Sequence, residues 1–260
     1  MRWRNWSGEQ ACIPARFAQP GSTADVAGEV ERAAAAGQVV RVVGAGHSFN
    51  DAVVTEGTLL SLDAMDRVLD VDRATGVVRV QAGIRLHALS DQLAAHGLAL
   101  ENLGDVNVQS IAGAISTGTH GTGAGLPNVA AQVAAVQLVD GSGVVHELAG
   151  GDALRAARVA VGALGVITEV TLRCVPLFTL RGVDVPVPLA EVLDQLDERA
   201  DAARHFEFFV FPHTDVALTR TNEVVEGPPR PPSRPQRFVE DVLVNNAVLG
   251  AAVAAGRRAP

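Results

Sequence analysis

A glycine-rich stretch, GDVNVQSIAGAISTGTHGTGAG at 104–125, constrains the fold of this chain more than any other feature. It is too rich in glycine for an ordinary core segment and too apolar for a disordered linker. Glycine permits positive φ angles and lets another group approach the backbone closely. Hydroxyl groups and free backbone N–H groups at a helix start form a surface that binds anions. The stretch is therefore predicted to form one wall of a site for a phosphate-bearing cofactor.

A second glycine turn, VVGAGHSFND at 42–51, is predicted to form the facing wall. It does not fit a Rossmann dinucleotide motif, because Phe49 stands where the third glycine would be and no helix pattern follows. A phosphate-binding Gly-Lys-Ser/Thr sequence is absent, and so is the G-x-S-x-G elbow of many hydrolases. What remains is a tight turn that exposes N–H groups, with a purely structural turn as the alternative.

Two histidines, His47 and His120, each lie within one of the glycine stretches. Either one could be an ordinary structural histidine or a side chain presented to the cofactor. The pair could also ligate a metal, but no third ligand stands at a suitable spacing, and no metal site is predicted. Cys12 and Cys174 share no metal-ligand spacing and are interpreted as incidental thiols.

Charge and composition exclude some classes of partner. The net charge of −8 and the isoelectric point near 5.3 argue against a nucleic-acid partner. The N-terminus lacks the continuous apolar segment of a signal peptide, and no apolar run is long enough to span a bilayer. These features predict a cytoplasmic protein; they give no indication of membrane association, and peripheral attachment stays open.

The pattern of short strands with few helices between them predicts an α+β fold and not a doubly wound sheet. Ser22 or Thr23 should cap the first helix, with Gly37 just after its end. The predicted helices are 24–36, Leu86–His96, Asp152–Val161 and Leu189–Ala202. The predicted strands are Gln38–Val43, Leu59–Leu62, Val68–Val71, Val77–Val80, Val133–Val139, Val144–Leu148, Leu164–Val175, Arg181–Val187 and His205–Phe211. The third and fourth of these strands are predicted to form one hairpin, and the fifth and sixth a second. A proline-rich surface loop is predicted at 227–235, followed by a weakly patterned segment at 238–260.

Three motifs in order, VVGAGHSFND at 42–51, QSIAGAISTGTHGTG at 109–123 and VGALGVITEVTL at 161–172, carry a family resemblance. They resemble the flavin-binding (PCMH-type) domain of the vanillyl-alcohol oxidase/p-cresol methylhydroxylase superfamily. Within it the chain is similar to the FAD-linked sugar-lactone oxidoreductases of the L-gulono-1,4-lactone dehydrogenase and D-arabinono-1,4-lactone oxidase type. HFEFFVFPHTD at 205–215 resembles the strand that opens their substrate domain. The resemblance covers essentially the whole chain.

This resemblance implies a PCMH-type FAD-binding domain of two α+β subdomains at 15–178, followed by the beginning of an α+β substrate domain at 179–260. The backbone of the turn would hold the FAD pyrophosphate, and His47 matches a histidine that many members bond covalently to the 8α carbon of the flavin. Asp105 stands where the alditol enzymes have a substrate-facing serine, which fits a lactone enzyme better. The implied cofactor-binding residues are Gly44, Ala45, Gly46, His47, Ser48, Ser110, Gly113, Ala114, Ser116, Thr117, His120, Val166 and Ile167.

The implied reaction is hydride transfer from a lactone C–H that bears a hydroxyl group to flavin N5. Gly104 would leave space for O2 beside the flavin, so O2 and another electron acceptor both stay open. Family members continue to a His-Trp-Gly-Lys motif that this sequence lacks before Pro260. The sequence is therefore expected to be a C-terminally incomplete member that binds FAD and is poorly active by itself. The alternative is a non-catalytic FAD-binding fragment.

Overall fold

The computed structural model describes residues 1–229 and 233 of the chain. Its backbone contacts define one compact unit at Met1–Val224 and a second at Val225–Pro260. Of the second unit, only residues 225–229 and 233 are described. The expected proline-rich loop at 227–235 lies partly outside the described residues, and the weakly patterned segment at 238–260 lies wholly outside them.

The helices and strands of the described residues are numbered in chain order. The strands are β1 Trp3–Arg4, β2 Ala11–Cys12, β3 Arg16–Ala18, β4 Val40–Val43, β5 Thr58–Ser61, β6 Val68–Asp72, β7 Val77–Gln81, β8 Leu98–Ala99, β9 Val133–Val139, β10 Val145–Leu148, β11 Val166–Arg173, β12 Val175–Pro176, β13 Thr179–Pro188, β14 His205–Val210 and β15 Val216–Val225. The α-helices are α1 Thr23–Ala35, α2 Leu86–Ala95, α3 Ile111–Ser116, α4 Gly151–Arg158, α5 Leu189–Asp194 and α6 Leu196–Ala202. A 3₁₀ turn covers Val129–Gln132.

The first layer is a parallel three-stranded sheet in the order β3-β5-β4, with α1 between β3 and β4 in the chain. The Oγ of Ser22 accepts a hydrogen bond from the Asp25 N–H and caps α1, and Gly37 has a φ of 63° just past its end. Both caps are as the sequence predicts. Because β4 ends at Val43, the parallel sheet delivers the chain directly into the Gly44–Gly46 turn.

The main layer is an antiparallel five-stranded sheet in the order β10-β9-β11-β7-β6. Both predicted hairpins form, and α2 buries Leu86, Leu89 and Leu93 completely. The residues of this sheet, α1, α2 and α3 share one hydrophobic core. Such a mixture of antiparallel sheet, short parallel sheet and packed helices confirms the α+β class.

A third sheet, in the order β13-β15-β14, packs on a small hydrophobic core of its own, formed by Val187, Val192 and Ala217. Phe206 and Phe208 pack on this core beside Val192 of α5. Side chains alternate between the two faces of a strand, so His205 and Glu207 occupy the opposite face. β15 was not predicted from the sequence.

The expected single helix over 189–202 is wrong in one respect, because the structure has two short helices that meet at Gln195. Val192 is the buried residue of α5, and α6 buries none of its residues. The apolar stripe that a continuous amphipathic helix needs therefore does not extend past the first turn and a half.

The close passage of 62–65 over Gly83 gives a test of the main core. A Cβ atom at Gly83 would overlap the Leu62 carbonyl oxygen and lie 2.8 Å from the Met65 carbonyl oxygen. Gly83→Ala should therefore lower the free energy of unfolding by about 3 kcal/mol in urea denaturation, since backbone would have to move. Gly28→Ala is the matched control: Gly28 lies in α1 with open space around its Cβ position, and this change should stabilise by about 0.5–1 kcal/mol. Equal effects of the two substitutions would contradict the packing described.

Candidate cofactor site

A cavity of about 420 Å³ lies where the parallel sheet, α3 and the start of β11 meet. Three stretches of backbone form most of its lining. The first is 40–48 with part of the following loop. The second lies within 109–117, around α3. The third combines 138–141 with the neighbouring segment 160–167. The two glycine stretches that the sequence singles out as walls therefore contribute to one cavity.

The first wall is the turn that follows β4. Gly46 has a φ of 67°, a left-handed conformation that glycine adopts without strain. Within residues 1–229 and 233, the backbone N–H groups of Ala45, Gly46, His47 and Ser48 donate no hydrogen bond. Four consecutive unengaged donors that line a cavity form a surface for an anion, because buried or half-buried N–H groups otherwise find acceptors within the protein.

The second wall begins at Ser110, which the chain holds against α2. The Leu86 N–H donates to the Gln109 carbonyl at 2.9 Å, and the Ile111 N–H donates to the Ile84 carbonyl at 2.9 Å. The Ser110 Oγ caps α3 by accepting from the Gly113 N–H at 3.2 Å. A Cβ atom at Gly44 would lie only 2.5 Å from this Oγ. The first and second walls thus touch at a point where a Cβ atom would push the Ser110 Oγ out of its capping position.

The third wall joins the β9–β10 turn to the loop before β11. In the sheet register Val166 stands opposite Val139 and Ile167 opposite Leu138, and all four line the cavity. A Cβ atom at Gly165, whose φ is 138°, would overlap the Val139 carbonyl oxygen. This glycine lets the loop before β11 lie directly on the β9 backbone.

An N-terminal hairpin of β1 and β2 packs against the first wall. The Trp6 N–H donates to the Gly46 carbonyl at 2.9 Å, and the Asn5 Nδ2 donates to the Ser48 carbonyl at 3.0 Å. The Trp3 ring lies 3.3 Å from the Cβ position of Gly46 and lines the cavity. Sequence reasoning missed this hairpin. Trp3 and Trp6 are the two tryptophans of the chain, and this concentration in the first six residues was the available signal.

Most of the predicted cofactor-binding residues line the cavity, and two of them do not. The cavity lining includes Gly44, Ala45, Gly46, His47, Ser48, Ser110, Gly113, Ser116, Thr117, Val166 and Ile167. Ala114 is fully buried behind the lining, and neither His120 nor Asp105 belongs to it. His120 is exposed, and its Nδ1 lies 2.9 Å from the Gly121 carbonyl oxygen. The binding roles of all these residues stay predictions.

Asp105 lies near the polar face of the third sheet and not beside the cavity. Burial raises the pKa of Glu207 above its usual range, and the nearby Asp105 carboxylate adds to this rise. Arg220, opposite Glu207 in the strand register, holds Asp184 through two hydrogen bonds of 2.7 and 2.9 Å. The Glu207 Oε1 is buried, has no hydrogen-bond partner within the described residues, and lies 3.7 Å from an Arg220 nitrogen. This face therefore presents polar groups whose hydrogen-bonding capacity is not fully used.

Among residues 1–229 and 233, no three His, Cys, Asp or Glu side chains are grouped closely enough to hold a metal ion. In that same part of the chain, every helix is too short or too polar to cross a bilayer.

Two models of known protein families match most of the chain. The model of the family described as "FAD binding domain" matches residues 14–149, and one described as "D-arabinono-1,4-lactone oxidase" matches residues 170–260. The chain is 47% identical over 258 residues to the L-gulono-1,4-lactone dehydrogenase of Mycobacterium tuberculosis, which covers 99% of this chain and 60% of that protein. It is 41% identical over 218 residues to the L-gulonolactone oxidase of Mus musculus, covering 83% of this chain and 50% of that protein.

Solved structures show the same fold at low sequence identity. Cholesterol oxidase from B. sterolicum superposes with a TM-score of 0.77 at 19% identity, covering 94% of this chain and 54% of that one. For 6-hydroxy-D-nicotine oxidase from Arthrobacter nicotinovorans the TM-score is 0.70 at 22% identity, with 83% and 51% covered. The chain therefore shares the fold of these oxidases, and together with the match to the FAD binding domain model this confirms the expected PCMH-type fold.

The chain belongs to the FAD binding domain family, whose model matches more than half of it. The resemblance to FAD-linked sugar-lactone oxidoreductases, expected from the three motifs, is confirmed at the level of the family. The chain spans 60% of the length of the mycobacterial relative. The cofactor of this domain is FAD. The cavity fits such a group, because a row of unengaged N–H donors suits a pyrophosphate and the glycines at Gly44 and Gly165 let the walls come together where a Cβ atom would collide.

Contact between the first two walls can be measured by a double-mutant cycle. Ser110→Ala alone should cost about 1 kcal/mol of unfolding free energy, because α3 loses its cap. Gly44→Ala alone should cost more, because its Cβ would lie 2.5 Å from the Ser110 Oγ. The double variant removes that oxygen, so its cost should be about 1–3 kcal/mol less than the sum of the two single costs. Strict additivity in urea denaturation would show that the walls do not touch.

Proposed function

We propose that this chain forms the flavin site of a protein that oxidises a sugar 1,4-lactone, of the gulono- or arabinono-lactone type. Hydride would pass from a lactone C–H bearing a hydroxyl group to flavin N5. The observation that carries the proposal is the convergence of both glycine walls on one cavity, in a chain whose residues 170–260 match the D-arabinono-1,4-lactone oxidase model. The named lactone oxidoreductases among its relatives support the same substrate class.

The chemistry that FAD supplies when bound is the acceptance of a hydride at N5. The chain's own residues hold and orient the cofactor. The N–H groups of Ala45, Gly46, His47 and Ser48 are free to donate to the pyrophosphate. Gly113, Ser116 and the helix-capping Thr117 are proposed to lie along the ribityl chain and the ring system, and Val166 and Ile167 along the adenine end; all five line the cavity.

The domain boundaries of this proposal are those expected from the resemblance, with FAD binding at 15–178 and the beginning of the substrate domain at 179–260. The matches at 14–149 and 170–260 support an FAD-binding part followed by a substrate part, although the second match already begins within β11, before the proposed boundary. The substrate domain then begins with the third sheet, whose polar face carries Glu207 and Arg220 opposite one another.

Lactone recognition is proposed to fall on this polar face and on Asp105. A sugar lactone presents several hydroxyl groups, each of which can donate to a carboxylate and accept from a guanidinium group. Burial raises the pKa of Glu207 and the Asp105 carboxylate adds to this rise, which supports a place for the loop after Gly104 near this face. Asp105 would accept a hydrogen bond from a lactone hydroxyl, and His120 would support the same loop, because its carbonyl oxygen packs on Gly104.

The electron acceptor is proposed to be O2 or a second acceptor, and the loop geometry favours neither. A Cβ atom at Gly104 would lie 2.9 Å from the His120 carbonyl oxygen, so this glycine has a packing role besides any space it leaves for O2. A cytoplasmic location is proposed from the acidic composition, with peripheral attachment to a membrane left open.

FAD binding is tested by the colour of the purified chain after incubation with FAD and gel filtration. We expect bound flavin, a fraction of which stays with the protein after acid precipitation because a ring nitrogen of His47 is bonded to it. His47→Ala should retain coloured, acid-releasable flavin and lose the acid-stable fraction. His96→Ala is the matched control, since that imidazole contacts Arg73 far from the cavity. Colourless wild-type protein would contradict the proposal.

Lactone oxidation is tested by anaerobic bleaching of the flavin absorbance with gulono-, galactono- and arabinono-1,4-lactone, and then by turnover with O2 and with cytochrome c. We expect at least one lactone to bleach the flavin. Asp105→Asn should lower kcat/KM by roughly tenfold, as expected for loss of one hydrogen bond to a charged group. Asp91→Asn, an exposed carboxylate on α2, should leave it unchanged. Bound flavin that no lactone bleaches would support the alternative, FAD binding without turnover.

A further inference from the structure

Trp6 is an exposed tryptophan that the chain nevertheless holds in a defined place. Its side chain is 64% exposed, although burial of a large aromatic ring normally stabilises a fold. Its backbone N–H is tied to the Gly46 carbonyl, and the side chain of the preceding Asn5 is tied to the Ser48 carbonyl. The two hydrogen bonds flank His47, so the hairpin is fixed to the turn on both sides of this histidine.

The Trp6 indole stacks on the His47 imidazole. The ring centroids are 5.1 Å apart and the ring planes are inclined by 21°. Phe49 meets Trp6 edge-on, with its ring centroid 5.8 Å from that of Trp6 and an interplanar angle of 82°. Offset stacked and edge-to-face pairs at these separations are favourable geometries for aromatic rings. The three rings therefore constrain one another.

No hydrogen bond orients the His47 ring. Within residues 1–229 and 233, neither of its nitrogens has a partner. A functional histidine is usually oriented by a hydrogen bond to the nitrogen that does not react. Among the described residues, the stack on Trp6 is the ring contact that this imidazole makes, and it defines the plane that the imidazole adopts.

Trp6 acts on the cavity only through His47. His47 belongs to the cavity lining, and Trp6 does not. The indole therefore packs on the imidazole from outside the cavity lining and is not placed to contact the cofactor directly. A substitution of Trp6 should therefore change the orientation of His47 without removing a side chain from the cavity lining.

We propose that Trp6 is a positioning residue that holds the His47 imidazole for covalent attachment to the flavin. The inference rests on the proposed function. In the attachment step a ring nitrogen of His47 loses its N–H proton and forms a bond to the 8α carbon, which loses one hydrogen as a proton. The electron pair of that C–H bond remains on the flavin and is then taken by O2 as the acceptor. Correct orientation of the nitrogen accelerates such a step because the reacting atoms meet already aligned.

The test follows the formation of acid-stable flavin over time after FAD is added to the cofactor-free chain. Trp6→Ala should slow attachment at least about tenfold, because a freely rotating imidazole is misaligned most of the time. Trp6→Phe keeps an aromatic ring to stack and should recover most of the rate. Ile13→Ala is the matched control, since Ile13 is a 70% exposed apolar residue that follows the same hairpin. Affinity for FAD is measured separately in the His47→Ala background, where Trp6→Ala should change the Kd by less than about twofold.

A second readout does not depend on the cofactor. In the NMR spectrum of the cofactor-free chain, the His47 ring protons should be shifted upfield by the indole, and Trp6→Ala should abolish this shift while leaving the spectra of the other six histidines unchanged. Trp6→Ala with an unchanged attachment rate would overturn the proposal. If Trp6→Ala weakened FAD binding in the His47→Ala background as much as it slowed attachment, the proposal would also be overturned, because Trp6 would then support cofactor binding as a whole. Coloured wild-type protein without acid-stable flavin would overturn both attachment and positioning while FAD binding stands, whereas colourless protein would overturn the proposed function itself.

Discussion

The close approach of the Gly44 backbone to the Ser110 hydroxyl is the contact on which the rest of the site depends. At this point no side chain separates the turn after β4 from the start of α3, and the two walls meet across the space of a single missing methyl group. The same constraint recurs at the third wall, where Gly165 lies on the Val139 carbonyl. An extended dinucleotide needs a long, narrow cleft walled by backbone, and glycines at the contact points allow the walls to close this far.

Each wall is delivered by an ordinary element of the fold. The parallel strand β4 ends where the turn begins, and the antiparallel sheet places Val166 of β11 beside Val139 of β9. The start of α3 is fixed by backbone hydrogen bonds to the segment between β7 and α2. Because the walls belong to elements that share one hydrophobic core, their separation is set by core packing and does not depend on a flexible loop.

Much of this arrangement is predictable from local sequence. The caps at Ser22 and Gly37, the hairpin turns and the two glycine stretches all follow from residue preferences within a few positions, and the structure has them where they were expected. The convergence of the two glycine stretches was predicted from their shared anion-binding chemistry and from the family resemblance, because periodicity gives no information about tertiary position. The stack of Trp6 on His47 joins residues distant in the chain and has no local signature. The break at Gln195 was missed for a related reason, since the apolar pattern of 189–196 does not tell which of its residues the small third core covers.

Hydrogen exchange of backbone amides with and without FAD tests the central claim most directly, namely that both glycine walls close on one cofactor. The account predicts that FAD slows exchange at the N–H groups of 45–48, at 116–118 and at 163–167 together and with the same concentration dependence. Those of the hairpin at Val68–Val80 should be unaffected, because it lies outside the cavity lining. Protection confined to one glycine stretch would contradict a single shared site. So would a different FAD concentration for half-maximal protection of each stretch.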